Sequence, residues 1–408
     1  MKNSIKAGII GLGGRGIGLL KQLVKMKDVE INAVCDLYED RVKEGSDMVF
    51  KAKKIRPYET LDYTEILAME NVDTVFIFSS WESHIKAAIQ AMEAGKAVGL
   101  EVGGAYCVED CWALVDAYER TKTPIMMLEN CCYGKYELMV LNMVRQGIFG
   151  EVVHCSGGYL HDLREEITHG KENRHYRLNN YINRNCENYP THELGPIAKV
   201  LKINRGNLMV SLTSTASCSK GLKQYIADGK ASNPELKDIE FKQGDIITTV
   251  IKCLNGESIV LTLDTTLPRA YSRGFTIRGT KAMYQEDNNM VFEDAKHHRL
   301  HFVAKVLWNN AKRYHRKYAH PIWRWYKKEG VRGGHGGMDY LVLRAFVEAL
   351  KQGSYMPIDV YDTASWMVIT PLSEKSIKEG GSPVQIPDFT RGKYLNRTEK
   401  AEGRYNID

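Results

Sequence analysis

The chain has 408 residues, enough for two domains or one elaborated domain, and it is 43% hydrophobic and 26% charged, the balance of an ordinary globular protein. No run approaches the ~20 apolar residues of a bilayer span, and strand-like sequence begins too early for a signal peptide of ~15–30 residues. A cytoplasmic location with no membrane partner is therefore expected. Nine cysteines without a CxxC pair or zinc-like spacing point to a reducing compartment rather than a disulfide framework, and no metal is expected. The net charge of +6 is unevenly placed: residues 296–332 hold eleven Lys/Arg and one acid, so this insert is net +10 and leaves −4 for the rest.

In chain order, residues 5–10, 29–35, 72–78, 96–100 and 124–128 form short apolar runs that read as buried parallel strands. Between them 83–94 and 109–120 carry helical spacing, and this alternation predicts a doubly wound parallel sheet. After Tyr133 the pattern becomes β-rich, with strands expected at 151–159, 208–214, 245–254, 257–265 and 274–278, mostly antiparallel. Asn255-Gly256 predicts a two-residue type I′ hairpin turn. Helices are expected at 191–202, 338–351 and 364–378, and the polar end of the chain, 390–408, as a loose arm. The fold class is thus α/β, with a dinucleotide-binding domain at 1–130, an α+β domain at 131–392 and a tail at 393–408.

Gly11-Leu12-Gly13-Gly14-Arg15-Gly16 directly follows the first strand and opens an apolar-periodic helix. Glycines at these spacings permit a tight turn and close approach of a pyrophosphate to a helix N-terminus. Asp36 ends the second strand twenty residues beyond Gly16, where a carboxylate accepts from ribose hydroxyls and repels a 2′-phosphate. NAD is therefore expected in preference to NADP, on a Rossmann-type sheet.

Asp36, the segment SSWESH at 79–84 and Glu101-Val102 resemble the glucose–fructose oxidoreductase and inositol dehydrogenase superfamily. Most of that superfamily carries Glu-Lys-Pro at the Glu101 position, its lysine aiding proton transfer at the oxidised hydroxyl. Here the segment is Glu101-Val102-Gly103, which argues against plain alcohol dehydrogenation. More narrowly, NCCY at 130–133, GYLHDLR at 158–164, HYR at 175–177 and YPTH at 189–192 with Gly195-Pro196 resemble the NAD-dependent glycoside hydrolase family 109. PRAYS at 268–272, GHGGMD at 334–339, PIDVYD at 357–362 and PDFTRG at 387–392 extend the resemblance over most of the chain.

The resemblance implies that Gly14, Arg15, Asp36, Trp81, His84, Glu101, Val102 and Asn130 line the cofactor. It implies that Tyr159, Arg177, Tyr189, Pro190, Thr191, His192 and Tyr271 line a sugar. An alpha-N-acetylgalactosaminidase is the family activity it suggests, on a small glycoside or a glycan end bearing an N-acetylhexosamine. The expected chemistry is redox-neutral: oxidation at C3, elimination of the aglycone, water addition and re-reduction. Such a route needs proton carriers of moderate pKa rather than a carboxylate pair. His175 is the first candidate, with Tyr159 and His192 as competitors.

Plainer roles exist for each residue. Tyr159 suits a core aromatic at a strand end, His192 a capping position on a helix with Thr191 at its N-cap, His175 a surface loop, and Arg177 a solvated loop charge. Two other functions fit the same scaffold: a net NAD-dependent sugar or inositol dehydrogenase, and a non-catalytic NAD-binding sensor. The density of Tyr, His and Arg over 159–192 speaks against an idle pocket. The insert at 296–332 interleaves cations with Trp308, Tyr314, Tyr318, Trp323, Trp325 and Tyr326. Single-stranded nucleic acid is one reading of that mixture; a helical lid or an oligomer arm with inward aromatics is preferred, so no nucleic-acid partner is expected. A homodimer or higher homo-oligomer is what the superfamily resemblance implies, since its open antiparallel sheet face often mediates dimers.

Overall fold

A computed structural model describes residues 4–407, and its packing divides the chain into two compact units. Of the described residues, the first contains 4–133, 322–364 and 398–407; the second contains 134–321 and 365–397. By packing, then, the units are interleaved along the chain rather than consecutive.

The first unit is built on six parallel strands: β1 (Ile5–Ile10), β2 (Val29–Cys35), β3 (Tyr58–Thr60), β4 (Thr74–Ile77), β5 (Ala97–Leu100) and β6 (Ile125–Met127). Their order, β3-β2-β1-β4-β5-β6, reverses direction between β1 and β4, the switch point at which doubly wound sheets bind dinucleotides. Every residue of β4 and β5 is buried, and every residue of β1 except Lys6, which explains why these segments read as apolar runs. Part of that cover is supplied from far down the chain. The helix Met338–Gln352 buries Leu341, Val342, Ala345 and Phe346, and Phe346 meets Phe76 of β4 edge-on at 5.4 Å. Asp28 ties the same helix through Arg344 at 2.7 Å and Lys351 at 2.8 Å.

The C-terminal end, expected as a loose arm, is packed into this unit. Ala401, Tyr405 and Ile407 are buried, and the Tyr405 amide donates to Glu348 at 2.9 Å. The tail's polar composition hid these three anchors.

The second unit holds an eight-stranded sheet: β7 (Val152–Leu160), β8 (Met209–Ala216), β9 (Ile246–Cys253), β10 (Ser258–Asp264), β11 (Thr276–Gly279), β12 (Ala282–Gln285), β13 (Met290–Glu293) and β14 (Val384–Gln385). The order is β13-β12-β11-β7-β10-β9-β8-β14, and among these pairs only β7 with β10 is parallel. Strict alternation puts Ile247, Thr249, Ile251 and Cys253 inward on β9. The hairpin joining β9 to β10 is where Asn255-Gly256 predicts it, but the turn differs. Gly256 alone takes a positive φ, 98°, and its amide donates to the Cys253 carbonyl at 3.2 Å, a three-residue loop closed by a glycine rather than a type I′ turn.

The helix Thr191–Val200 lies against β7 so closely that a Cβ on Gly157 would come within 2.7 Å of the Glu193 Cβ. The basic insert is not one arm. In the second unit Phe302 stands 92% exposed, whereas in the first Trp323 and Tyr326 are buried and the Trp323 indole donates to the Tyr133 carbonyl at 2.9 Å. Among the described residues no helix is long and apolar enough to cross a membrane.

Ile407 is fully buried, so Ile407→Ala should cost about 2–4 kcal/mol of unfolding free energy in a urea titration. A loss below about 0.5 kcal/mol, the scale of an exposed site, would restore the loose-arm description.

Candidate active site

In the first unit the chemistry begins at the loop after β1. Gly11 has φ +96°, and a Cβ there would lie 2.5 Å from the Ser79 backbone nitrogen. A Cβ on Gly16 would meet the Gly11 carbonyl oxygen at 2.2 Å, so the loop and the helix Gly14–Leu23 close on each other tightly. Gly13 caps that helix, and a Cβ on Gly14 would meet nothing within 4 Å, which leaves the helix N-terminus open to an anion. The Leu12 amide donates to Asp36 at 2.7 Å, and the Tyr38 amide at 3.1 Å, so the Asp36 carboxylate is held by the loop itself. These features fit a dinucleotide.

Trp81 opens the helix Trp81–Glu93 and is buried. Its indole covers Gly103, where a Cβ would come within 2.5 Å of the ring. His84, on the same helix, bonds through Nε2 to the Ser79 carbonyl at 2.9 Å. A carbonyl only accepts, so Nε2 carries the proton. Burial pushes the His84 pKa down to about 4 against the opposing Ser79 contact, which keeps the ring neutral. Its Nδ1 is buried without a hydrogen-bond partner among the described residues. Val102 fills the place of the superfamily lysine and is buried, its amide turned onto Glu101 at 3.2 Å.

One carboxylate gathers the rest of this end. Asp339 accepts from Arg15 at 2.9 Å, from Asn130 at 2.8 Å and from His335 at 2.8 Å, and Arg15 also reaches Glu101 at 3.3 Å. Burial alone would raise the Asp339 pKa, yet the His335 contact and the Arg15 charge hold it well below the usual carboxylate range. Burial raises that of Glu101 despite Arg15. A cavity of about 550 Å³ opens beside Gly14, Arg15, His335 and Asp339. Arg15, Asn130, Glu101 and Val102 were singled out from the sequence; Asp339 and His335 stood in the GHGGMD string without a role.

The second unit brings together an aromatic cage. The Tyr159 and Tyr189 rings stack at 4.2 Å, and His192 meets both edge-on, at 5.6 and 4.8 Å. The Tyr189 hydroxyl lies 3.3 Å from His192 Nε2. The Arg177 guanidinium sits 5.1 Å from the Tyr189 centroid and 5.9 Å from that of Tyr159. It is buried and pairs with Glu166 at 2.6 Å. Burial opposes the charge on Arg177, but Tyr176, Tyr159 and Glu166 hold its pKa well above the ordinary value.

His175 joins through the same acid, 3.5 Å from Glu166, while its Nδ1 accepts the Arg177 amide at 3.2 Å and its ring stacks on Tyr176. Tyr271 is 55% exposed and touches the cage through His161, at 5.1 Å between rings. Pro190 takes the N-cap position of the Thr191–Val200 helix, so Thr191 lies inside the first turn instead of capping it. The Thr191 hydroxyl is buried without a hydrogen-bond partner among the described residues. Sequence reasoning gave His161, Glu166 and Glu187 no role in the site. His161 lay in the GYLHDLR string, and a pair of acids at 165–166 before HYR offered the only signal for Glu166.

Glu187 is almost wholly buried, one oxygen 3.4 Å from the Tyr189 amide and the other unpartnered among the described residues. Burial, weakly offset by that amide, raises its pKa to about 8, so the acid is neutral at pH 7.

Two predictions follow from these environments. Gly11→Ala should weaken NAD binding at least tenfold in calorimetry, since the new methyl and the positive φ both disturb the loop; unchanged affinity would show that the loop does not set the cofactor. For Glu187 the native state keeps its proton up to about 8 while the unfolded chain loses it near ~4.3. The folded protein binds more protons, so this residue's contribution falls as pH rises across that window. Glu187→Gln should therefore gain in melting temperature over the natural chain progressively from pH 5 to pH 8; a constant difference would show that Glu187 ionises normally.

Comparison with known proteins places this architecture. Residues 133–396 match the family model Glycosyl hydrolase 109, C-terminal domain, and residues 5–128 match Oxidoreductase family, NAD-binding Rossmann fold. A glycosyl hydrolase family 109 protein of Stenotrophomonas maltophilia is 39% identical over 96% of this chain and 90% of its own length. Proteins named alpha-N-acetylgalactosaminidase from Tannerella forsythia and Shewanella oneidensis are 37% and 38% identical; they cover 96% and 95% of this chain and 88% and 85% of their own lengths. Among solved structures, levoglucosan dehydrogenase in complex with NADH and levoglucosan shares the fold, with TM-score 0.69 and 17% identity over 94% of this chain and all of that one. The six-stranded sheet is an NAD-binding Rossmann domain, and the chain belongs to glycosyl hydrolase family 109.

Proposed function

We propose that this protein is an NAD-dependent alpha-N-acetylgalactosaminidase whose sugar is bound in the Tyr159–Tyr189–His192–Arg177 cage. The stacked tyrosines under a buried guanidinium carry the reading: aromatic faces suit a sugar ring, and a planar five-donor group suits a hydroxyl or acetamido oxygen. Bound NAD supplies a reversible oxidation at the sugar C3 that makes the C2 proton acidic and leaves no net redox change.

The first unit's residues hold and orient the cofactor. Asp36 takes the ribose hydroxyls, Gly13, Gly14 and Arg15 the pyrophosphate end, and Trp81, His84, Glu101, Val102 and Asn130 the rest of the lining. In the second unit Tyr159, His175 and His192 are the proton carriers for C2 and for the departing oxygen. All three are tied to Arg177 or Glu166 directly or through one ring contact, which fixes their geometry before the sugar arrives. Four acids near the cage are committed elsewhere. Asp162 pairs with Arg164 at 2.7 Å, Asp264 with Arg269 at 2.5 Å and Glu166 with Arg177, while Glu187 is neutral. A route that needs two carboxylates astride the glycosidic bond is poorly served. The relatives named alpha-N-acetylgalactosaminidase support the sugar.

The test offers nitrophenyl α- and β-N-acetylgalactosaminides to purified protein without added nucleotide, following nitrophenol and NADH together. Nitrophenol release from the α-anomer without stoichiometric NADH is the expected result. NADH accumulating from free sugars and added NAD, with no glycoside cleaved, would establish a net dehydrogenase instead. Tyr159→Phe, His175→Ala and His192→Ala should each lower turnover, the true base by about 10²–10⁴-fold. Near-normal turnover in all three would remove the assignment.

A further inference from the structure

His161 sits one residue beyond β7, two residues past Tyr159, and its backbone is held from two sides. Its amide donates to the Asp264 carbonyl at 3.0 Å, and the preceding Leu160 is bridged to Ser272, whose amide donates back at 3.0 Å. The side chain therefore has a fixed origin. Its ring meets Tyr159 edge-on at 5.7 Å and 89° and meets Tyr271 at 5.1 Å and 88°, wedged between a buried wall of the cage and its exposed rim. Its Nδ1 lies 3.2 Å from the Tyr159 hydroxyl.

We infer that His161 is a positioning and proton-relay residue: its Nδ1 accepts the hydrogen bond of the Tyr159 hydroxyl and its Nε2 exchanges the proton with water. The inference rests on the reading that Tyr159 moves a proton of the sugar. The direction of the bond follows from the charge beside it. The Arg177 guanidinium near the Tyr159 ring draws density from the phenol oxygen, which makes that oxygen a better donor than acceptor.

The groups facing His161 keep the acceptor in service. Burial lowers its pKa most; Glu166 and Asp162 push it up, and Arg177 and His192 push it down, with the net result below the ordinary imidazole value. The neutral ring has one nitrogen for Tyr159 and one N–H for solvent. In the relay step the Tyr159 O–H bond breaks as an Nδ1–H bond forms, and the Nε2 proton of the resulting imidazolium passes to water. The reverse sequence reprotonates Tyr159. The phenolate that this step leaves on Tyr159 then takes the proton from carbon and becomes the phenol again, without opening the stacked side of the cage to water.

Imidazole ¹⁵N resonances of histidine-labelled protein, assigned with His161→Phe, test the pair directly. At neutral pH His161 should be the neutral Nε2–H tautomer, and Tyr159→Phe should shift its Nδ1 resonance while leaving His84 unmoved. An Nδ1–H tautomer, a cationic ring or an Nδ1 indifferent to Tyr159→Phe overturns the inference without reference to any substrate.

Kinetics then tests the relay. His161→Phe, which keeps the ring between the two tyrosines, should lower kcat by about 10–100-fold with KM within about twofold, and added imidazole should restore part of the His161→Ala rate. A kcat within twofold of the natural protein in His161→Phe overturns it. If the natural protein cleaves no glycoside, the functional reading falls, and the resonances still decide the Tyr159–His161 pair.

Discussion

A buried guanidinium cannot remain uncompensated, and Arg177 shows how that requirement organises the second unit. Taking the charge out of water costs several kcal/mol unless partners replace the hydration. The partners here are Glu166 at 2.6 Å and two tyrosine faces, and each is constrained in turn. Glu166 also reaches His175, whose own Nδ1 accepts the Arg177 amide, so the loop and helix carrying these residues close on themselves. Tyr159 is the penultimate residue of β7 and Tyr189 lies just before Pro190, the N-cap of the helix Thr191–Val200; they stack because the helix approaches β7 at Gly157, where no side chain intervenes. Removing the charge would leave Glu166 half-satisfied and both rings without the cation that holds them.

The first unit repeats the device at the cofactor end. Arg15, the first residue after the open glycine of the helix N-terminus, is anchored by Asp339 and Glu101 rather than by water. Asp339 in turn holds Asn130, which follows β6, and His335 from the turn before its own helix. Segments distant in the chain are thereby fixed around one carboxylate, whose depressed pKa measures how strongly they oppose its protonation. In each unit an arginine–acid pair does the orienting, and the residues with chemistry to perform are placed by it.

Much of this was legible in the sequence, and the gaps have physical causes. β1 and β2 declare themselves because most of their residues are apolar and buried, with Lys6 and Glu30 the exposed exceptions; β3 does not, since Tyr58 and Glu59 are exposed at the sheet edge and only Thr60 is buried. β14 is two residues long and exists only by pairing with β8, which no local pattern reports. Asn255-Gly256 marks the hairpin, but whether one or both residues take positive φ depends on the register of β9 against β10. The helix Met338–Gln352 is legible as a helix, but not as the cover of a sheet more than two hundred residues earlier in the chain. The site divides the same way. Tyr159, Arg177, Tyr189 and His192 are conspicuous by type, whereas Glu166, Glu187, Asp339 and His161 matter through partners that only the fold supplies.

That distinction bears on the chemistry. Counting carboxylates along 159–193 finds Asp162, Glu165, Glu166, Glu187 and Glu193, and from sequence alone any two might straddle a glycosidic bond. The fold spends Asp162 on Arg164 and Glu166 on Arg177, leaves Glu165 exposed, and buries Glu187 as a neutral acid and Glu193 against Gly157. The cage itself offers phenols and imidazoles, groups whose protons move near neutrality once an adjacent charge or hydrogen bond tunes them. These suit the removal of a proton from carbon beside a transient ketone, and suit poorly the protonation of a glycosidic oxygen opposite a carboxylate nucleophile. A Rossmann domain in a family of hydrolases is then no contradiction: on the proposed route the cofactor would make the C2 proton removable, and the cage would supply the groups to remove it.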